Sequence, residues 1–317
     1  MRRVVTRSRG ERAEARAGAK GAKAGARAGA RAGGRRAPVM LAVVLLLAGA
    51  AWLLVGCGPK VGVTQELLVD EPLASGAVTE VRLIMGEGRL AISPGAAGLV
   101  AGSISYNVAD WKPEISRSDD RVIIQQGSTK GVSGTDATVV NEWNLELGLA
   151  PMRLKIEAGV YQGVFDLSGL SLQEVDIKDG VAQTEVIFSL PNPSQMERLR
   201  YTTGASAVSF VGLANANLAS MEFTGAAGTY ALDFSGQLRS DATVEIKVSG
   251  GTVRIEVPST TRAQVRITGT TAEVDTHGSW IIDGSNISTQ AFQDGEEGKT
   301  LIIELEMTAG SVTLVTE

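Results

Sequence analysis

One short motif recurs with a period of 21 to 24 residues between Met152 and Thr276, and it limits what the chain can fold into more than any other feature. Each copy opens with two apolar residues spaced two apart: Leu154/Ile156, Val175/Ile177, Leu199/Tyr201, Met221/Phe223, Val244/Ile246 and Val265/Ile267. On a strand, such a pair points to a single face. A glycine follows in every copy: Gly159, Gly180, Gly204, Gly225, Gly250 and Gly269. A second apolar pair comes next: Phe165/Leu167, Val186/Phe188, Val208/Phe210, Leu232/Phe234, Val253/Ile255, and then Val274 alone. Upstream, Val81/Leu83, Gly86 and Leu90/Ile92 fit the same template.

Two short strands joined at a glycine corner cannot bury their apolar face alone, whereas stacked copies can. The spacing therefore predicts an all-β protein built as a β-solenoid, a single-stranded β-helix-like stack that follows an N-terminal apolar helix. Phe188, Phe210 and Phe234 are expected to share one phase and to stack in neighbouring coils. The competing architecture is an antiparallel sandwich, because strands about ten residues apart with glycine turns also describe hairpins.

The rest of the chain divides into segments. Residues 1–36 are a low-complexity Arg/Ala/Gly tract with 12 basic and 2 acidic residues, and they are expected to be a disordered basic n-region. The remainder carries the other 18 basic and 33 acidic residues, so the overall −5 hides +10 against −15. An acidic body of that kind excludes nucleic acid as its partner. Residues 37–57 read as a signal peptide or a short membrane helix: Pro38–Val55 is apolar, and it ends in Leu54-Val55-Gly56-Cys57. That tetrapeptide resembles the lipobox of bacterial lipoproteins, in which small residues before the cut fit the peptidase and the cysteine thiol carries the lipid. The resemblance implies cleavage before Cys57, the sole cysteine, and its acylation; the alternative is an uncleaved transmembrane helix. Residues 58–76 read as a linker, 77–150 as an N-terminal β region, and 151–317 as the repeats with a C-terminal cap. In that cap, Leu301–Leu305 and Val312–Val315 supply closing strands.

Several runs also carry a family likeness: Asn141-Glu-Trp-Asn-Leu-Glu-Leu, Phe165-Asp-Leu-Ser-Gly-Leu, Gly212-Leu-Ala-Asn-Ala-Asn and Leu232-Asp-Phe-Ser-Gly. Over roughly Glu80 to Glu317 the chain resembles the toast-rack family of bacterial membrane-anchored proteins of unknown function. Some members are linked to cell-envelope stress sensing, and the resemblance suggests that and no more. These motifs set shape rather than activity.

The chemistry of catalysis is thin. His277 is the sole histidine, with Asp275 and Asp283 near it in sequence, and no strand–nucleophile–helix motif accompanies them. Too few His and Cys are present for a zinc site, and no glycine-rich loop ends in Gly-Lys-Ser/Thr. Asp166, Asp176 and Asp233 fall at positions between inward apolar residues, where solvated acids are expected. They are also the candidates should the stack cleave polysaccharide. The sequence thus predicts a noncatalytic extracytoplasmic lipoprotein at the bacterial cell membrane, with no cofactor or metal. It would serve as a scaffold, an adhesin-like stalk or a binding module for an envelope protein or polysaccharide. The alternatives are a stress-sensing regulator that keeps its membrane helix and a polysaccharide-active β-helix enzyme.

Overall fold

The apolar pairs of the repeat sit on long strands that pair side by side and in register. The structure, a computed structural model, is described for residues 60–73, 78–128, 138–269 and 272–317. The basic n-region, the apolar segment and Cys57 lie outside the described residues. In chain order the strands are β1 (Val61–Glu71), β2 (Thr79–Pro94), β3 (Val100–Val108), β4 (Glu114–Ser118), β5 (Arg121–Gln125), β6 (Asn141–Leu147), β7 (Met152–Asp166) and β8 (Leu172–Ile187). They continue as β9 (Met196–Val211), β10 (Leu218–Asp233), β11 (Ala242–Val257), β12 (Arg262–Thr268), β13 (Ala272–His277), β14 (Trp280–Asp283), β15 (Asn286–Thr289) and β16 (Thr300–Thr316), with a one-turn helix α1 (Gln290–Gln293) before the last strand. All sixteen belong to one sheet. No described helix is long and apolar enough to cross a membrane.

Strands β7 to β11 each take one copy of the repeat and pair parallel rather than as antiparallel hairpins. Leu154 faces Val175, Val175 faces Leu199, Leu199 faces Met221, and Met221 faces Val244. Strand β2 joins the same stack along its whole length, with Val81 opposite Leu154 and Ile92 opposite Phe165. Burial changes parity partway along each strand. In β8, Val175 and Ile177 are buried, and then Ala182, Thr184 and Val186. A straight strand would turn the second set outward, so the strand bends to keep both arms around one core. At the bend Gly159, Gly180 and Gly204 lie one above another. A Cβ on any of them would meet the carbonyl oxygen of the glycine on the preceding strand, beginning with Gly86.

The arms have fixed length and the returns do not. Ile156 to Phe165, Ile177 to Val186, Tyr201 to Phe210, Phe223 to Leu232 and Ile246 to Ile255 all span nine residues, and within each of these two sets neighbours face each other across the ladder. Variation in the period is therefore confined to the turns. This corrects the expected aromatic column. Phe210 faces Val186 and Leu232, whereas Phe188 and Phe234 lie two residues further along their strands, where the chain turns. All three are buried, because a shift of two keeps the face.

In the turns, Asn192 is fully buried and serves as a connector. Its Nδ2 donates to the carbonyls of Leu172 (2.8 Å) and Ala216 (3.1 Å), and its Oδ1 accepts from the backbone N–H of Leu172 (3.2 Å) and of Ser194 (3.0 Å). One side chain thus links three successive returns.

Both ends depart from the repeat. Residues 61–71, expected within a linker, form β1 instead, antiparallel to β3. Val69 is buried there, and the alternation around it is that of a strand. At the other end β16 does not close the stack. It lies between β11 and β12, with Ile303 facing Val244 on one side and Val265 on the other. Leu301, Ile303, Leu305, Met307, Val312 and Leu314 are all buried. By contrast β13 offers Val274, 39 % exposed, against Val312. The strand with the full set of apolar positions takes the interior place.

Candidate functional site

The bend gives the stack two outer faces of different chemistry. On the first arms, outward residues form ion pairs that mostly cross between strands. Lys155 Nζ lies 2.7 Å and Arg121 Nε 2.8 Å from Glu80, Arg82 lies 2.6 Å from Glu157, Arg198 2.5 Å from Glu174, and Arg200 2.8 Å from Glu222. Partial burial pushes the Glu80 carboxyl up, and its two cationic neighbours outweigh that, so it is lowered overall. On the second arms the outward residues are mainly small or uncharged. Gln162 faces Gln183, Gln183 faces Ala207, and Ala207 faces Thr229. An open groove of about 510 Å³ crosses this face and shares Gln162 and Gln183 with a second of about 620 Å³. The second is bordered by Glu87, whose carboxyl burial pushes up, and by the Arg89–Glu142 pair at 2.7 Å. Val160 and Val181 stand about half exposed at its edge.

Inside the bend, hydroxyls gather on one carboxylate. Tyr201 donates to Asp179 Oδ2 at 2.6 Å and Tyr161 to the same oxygen at 3.3 Å. Thr203 donates to Asp179 Oδ1, and Ser206 reaches that oxygen at 3.3 Å. Ser206 also accepts the N–H of Ala182 at 2.9 Å, and Thr184 donates to the Tyr161 hydroxyl at 3.1 Å. Glycines make room for a further phenol: the hydroxyl of Tyr230 lies beside Gly225 and Gly228, where side chains would otherwise project. It is buried and has no hydrogen-bond partner.

Burial, with the charge of Asp179 adding to it, pushes the Tyr161 hydroxyl well above the usual phenol range; burial does the same to Tyr201, reinforced by Tyr161 and Asp179. Both stay protonated in the folded protein after their unfolded counterparts ionise near pH 10. The unfolded chain then binds fewer protons, so stability should hold below about pH 10 and fall above it, by about 1.4 kcal/mol per pH unit for each tyrosine. Denaturant titrations at a series of alkaline pH values measure this slope, and Tyr161→Phe and Tyr201→Phe should each reduce it. Ionisation of these two phenols at ordinary pH in the folded protein would contradict it.

The acids singled out in the sequence are not brought together. Asp166 Oδ1 accepts the N–H of Ser168 at 3.0 Å and Asp233 Oδ1 that of Ser235 at 2.7 Å, so both shape strand exits. Asp176 stands on the first-arm face, 4.0 Å from Lys178. His277 and Asp275 are exposed on β13, and Asp283 is exposed on β14. Among the described residues no three His, Cys, Asp or Glu side chains are grouped to hold a metal. Cys57, Leu54, Val55 and Gly56 lie outside the described residues. Sequence reading missed Asp179 and its hydroxyls. The available signal was Thr184, a polar residue in a column that runs on through Val208, Tyr230 and Val253.

A sheet of parallel bent strands with antiparallel ends defines an all-β repeat protein. Residues 75–209 match the family described as the N-terminal domain of toast_rack, DUF2154, and this part of the chain belongs to the toast-rack family. Among solved structures, the chain is similar to one provisionally named a cell adhesion protein, from Clostridium sporogenes, at 20% identity and a TM-score of 0.44, over 82% of this chain and 100% of that one. It is also similar to one provisionally named an adhesin, from Bacteroides fragilis, at 9% identity and a TM-score of 0.36, over 83% and 100%. A third, from Parabacteroides distasonis, is provisionally named a lipid binding protein, at 10% identity and a TM-score of 0.31, over 80% and 97%. No curated protein matches the chain.

Proposed function

We propose that this protein is a noncatalytic module of the bacterial cell envelope, a β-solenoid held at the extracytoplasmic face of the membrane that binds an envelope protein or polysaccharide across its second-arm face. The observation that supports this is the contrast between the two faces. The first arms match their charges within the chain, whereas the second arms offer a continuous groove built mainly of amide, hydroxyl and small side chains, with Glu185, Glu87 and the Arg89–Glu142 pair as its charged groups. Such a surface presents hydrogen-bonding groups at the spacing of the strands, about 4.8 Å, which suits a neutral, repeating partner. A polysaccharide-cleaving enzyme would need paired carboxylates in a groove, and Asp166, Asp176 and Asp233 occupy separate positions. The test is binding of residues 58–317 to cell-wall fragments. Gln162→Lys with Gln183→Lys should weaken it by at least about tenfold, as loss of central contacts does, while Lys247→Ala on the other face leaves it unchanged. Equal loss from both, or turnover of the fragments, would reject this reading.

The anchor follows from Leu54-Val55-Gly56-Cys57 after an apolar segment. Acylation at Cys57 would supply the two or more lipid signals that stable attachment takes. Cys57→Ser should leave an unprocessed precursor or release the protein from membranes, as read by fractionation and mass spectrometry. A wild-type protein with Met1 intact and Cys57 unmodified would rule lipidation out.

A further inference from the structure

We propose that the polar cluster inside the bend is a binding site for a monovalent metal cation, sodium or potassium, held by Asp179 with the hydroxyls of Thr203, Ser206, Tyr201 and Tyr230. Two independent observations carry it. The first is convergence: four hydroxyl oxygens lie within hydrogen-bond distance of a single carboxylate. The second is Tyr230. Its side chain is fully buried, yet its hydroxyl has no partner. That hydroxyl lies against Gly225 and Gly228, whose partners on the next strand are Thr203 and Ser206, so it is aimed at the same cluster. A buried hydroxyl left unpaired costs free energy that a ligand there would recover.

The donor set selects the ligand. All the atoms are oxygen, which suits hard cations and not zinc or copper. Calcium takes six to eight oxygens, commonly from several carboxylates, and magnesium demands near-ideal octahedral geometry. Here one negative charge is surrounded by neutral hydroxyls. Asp179 is half-buried, and a single positive charge brings the site to neutrality, which partial burial favours. The hydroxyls can turn their lone pairs to the ion and still donate elsewhere. Bound there, the ion would tie β8, β9 and β10 together beneath the groove.

The experiment uses the unit Cys57–Glu317, which is compact by itself. Its Tm is followed against sodium, potassium or calcium chloride, with choline chloride holding ionic strength constant. The expected result is a saturable rise with sodium or potassium of about 3–5 °C at ten times the dissociation constant. Tyr230→Phe should retain the fold and lose most of this rise, and Asp179→Asn should abolish it. Should Asp179→Asn fail to fold, Tyr230→Phe decides. Identical melting in sodium, potassium and choline would overturn the proposal. So would a rise that persists in Tyr230→Phe, or a response to calcium alone.

Discussion

Replacing Phe210 with alanine is expected to destabilise the protein by about 3–5 kcal/mol, the range for large-to-small changes in a packed core. The ring is 1 % exposed, sits edge-on to Tyr201 with centroids 5.5 Å apart, and meets Phe223 at 6.3 Å. Its neighbours belong to ladders on both sides, so little backbone can collapse into the space. Ser209 points to the opposite face, and Ser209→Ala should change stability by less than about 0.5 kcal/mol. Denaturant unfolding of the two variants measures the difference. Similar losses at both positions would mean that the second arm faces the other way.

Asn192→Ala should cost nearly as much, about 3 kcal/mol, for a different reason. No large apolar volume is lost. The variant leaves the Leu172 N–H and the carbonyls of Leu172 and Ala216 without this partner where water is excluded, and each buried unpaired group costs about 1–3 kcal/mol with partial relaxation offsetting the sum. Asn192→Asp serves as a control, since it keeps the acceptor for Leu172 and Ser194 and removes the donor to two carbonyls. It should still destabilise. If Asn192→Ala unfolds at the wild-type denaturant concentration, the connector role assigned to this side chain is wrong.

The stacking was legible because it rests on period. Apolar residues two apart, recurring every 21 to 24, place Leu154, Val175, Leu199, Met221 and Val244 in one ladder, and they are found there. The phase of the second arm was legible only in part. Val186/Phe188 and Val208/Phe210 look alike as pairs, yet their correspondence is shifted by two. Apolar pattern alone does not resolve a shift of two, because both registers bury the same face; the constant nine-residue span does. Strand β1 was hidden by its charges. Glu66 and Asp70 read as linker chemistry, but at a sheet edge they stay in water while Val69 turns inward. The hydroxyl cluster left only Thr184 as a trace, because Tyr201 fits the repeat as an apolar residue. Which hydroxyls meet Asp179 depends on the bend, which a linear pattern does not encode.

The position of β16 has a consequence for assembly. Neighbours within the run from β7 to β11 are separated by 21 to 24 residues, but Val244 and its partner Ile303 are separated by 59. Closing that longer loop costs only about 0.9 kcal/mol more by chain statistics, so the thermodynamic penalty is small. Its effect is on order. The earlier strands can settle one after another as the chain emerges, each on the last. Strands β12 and β13 cannot take their final neighbour until β16 arrives and pairs with both them and β11. Strand β16 therefore acts as a keystone, and the stack remains unfinished until Thr300–Thr316 is in place.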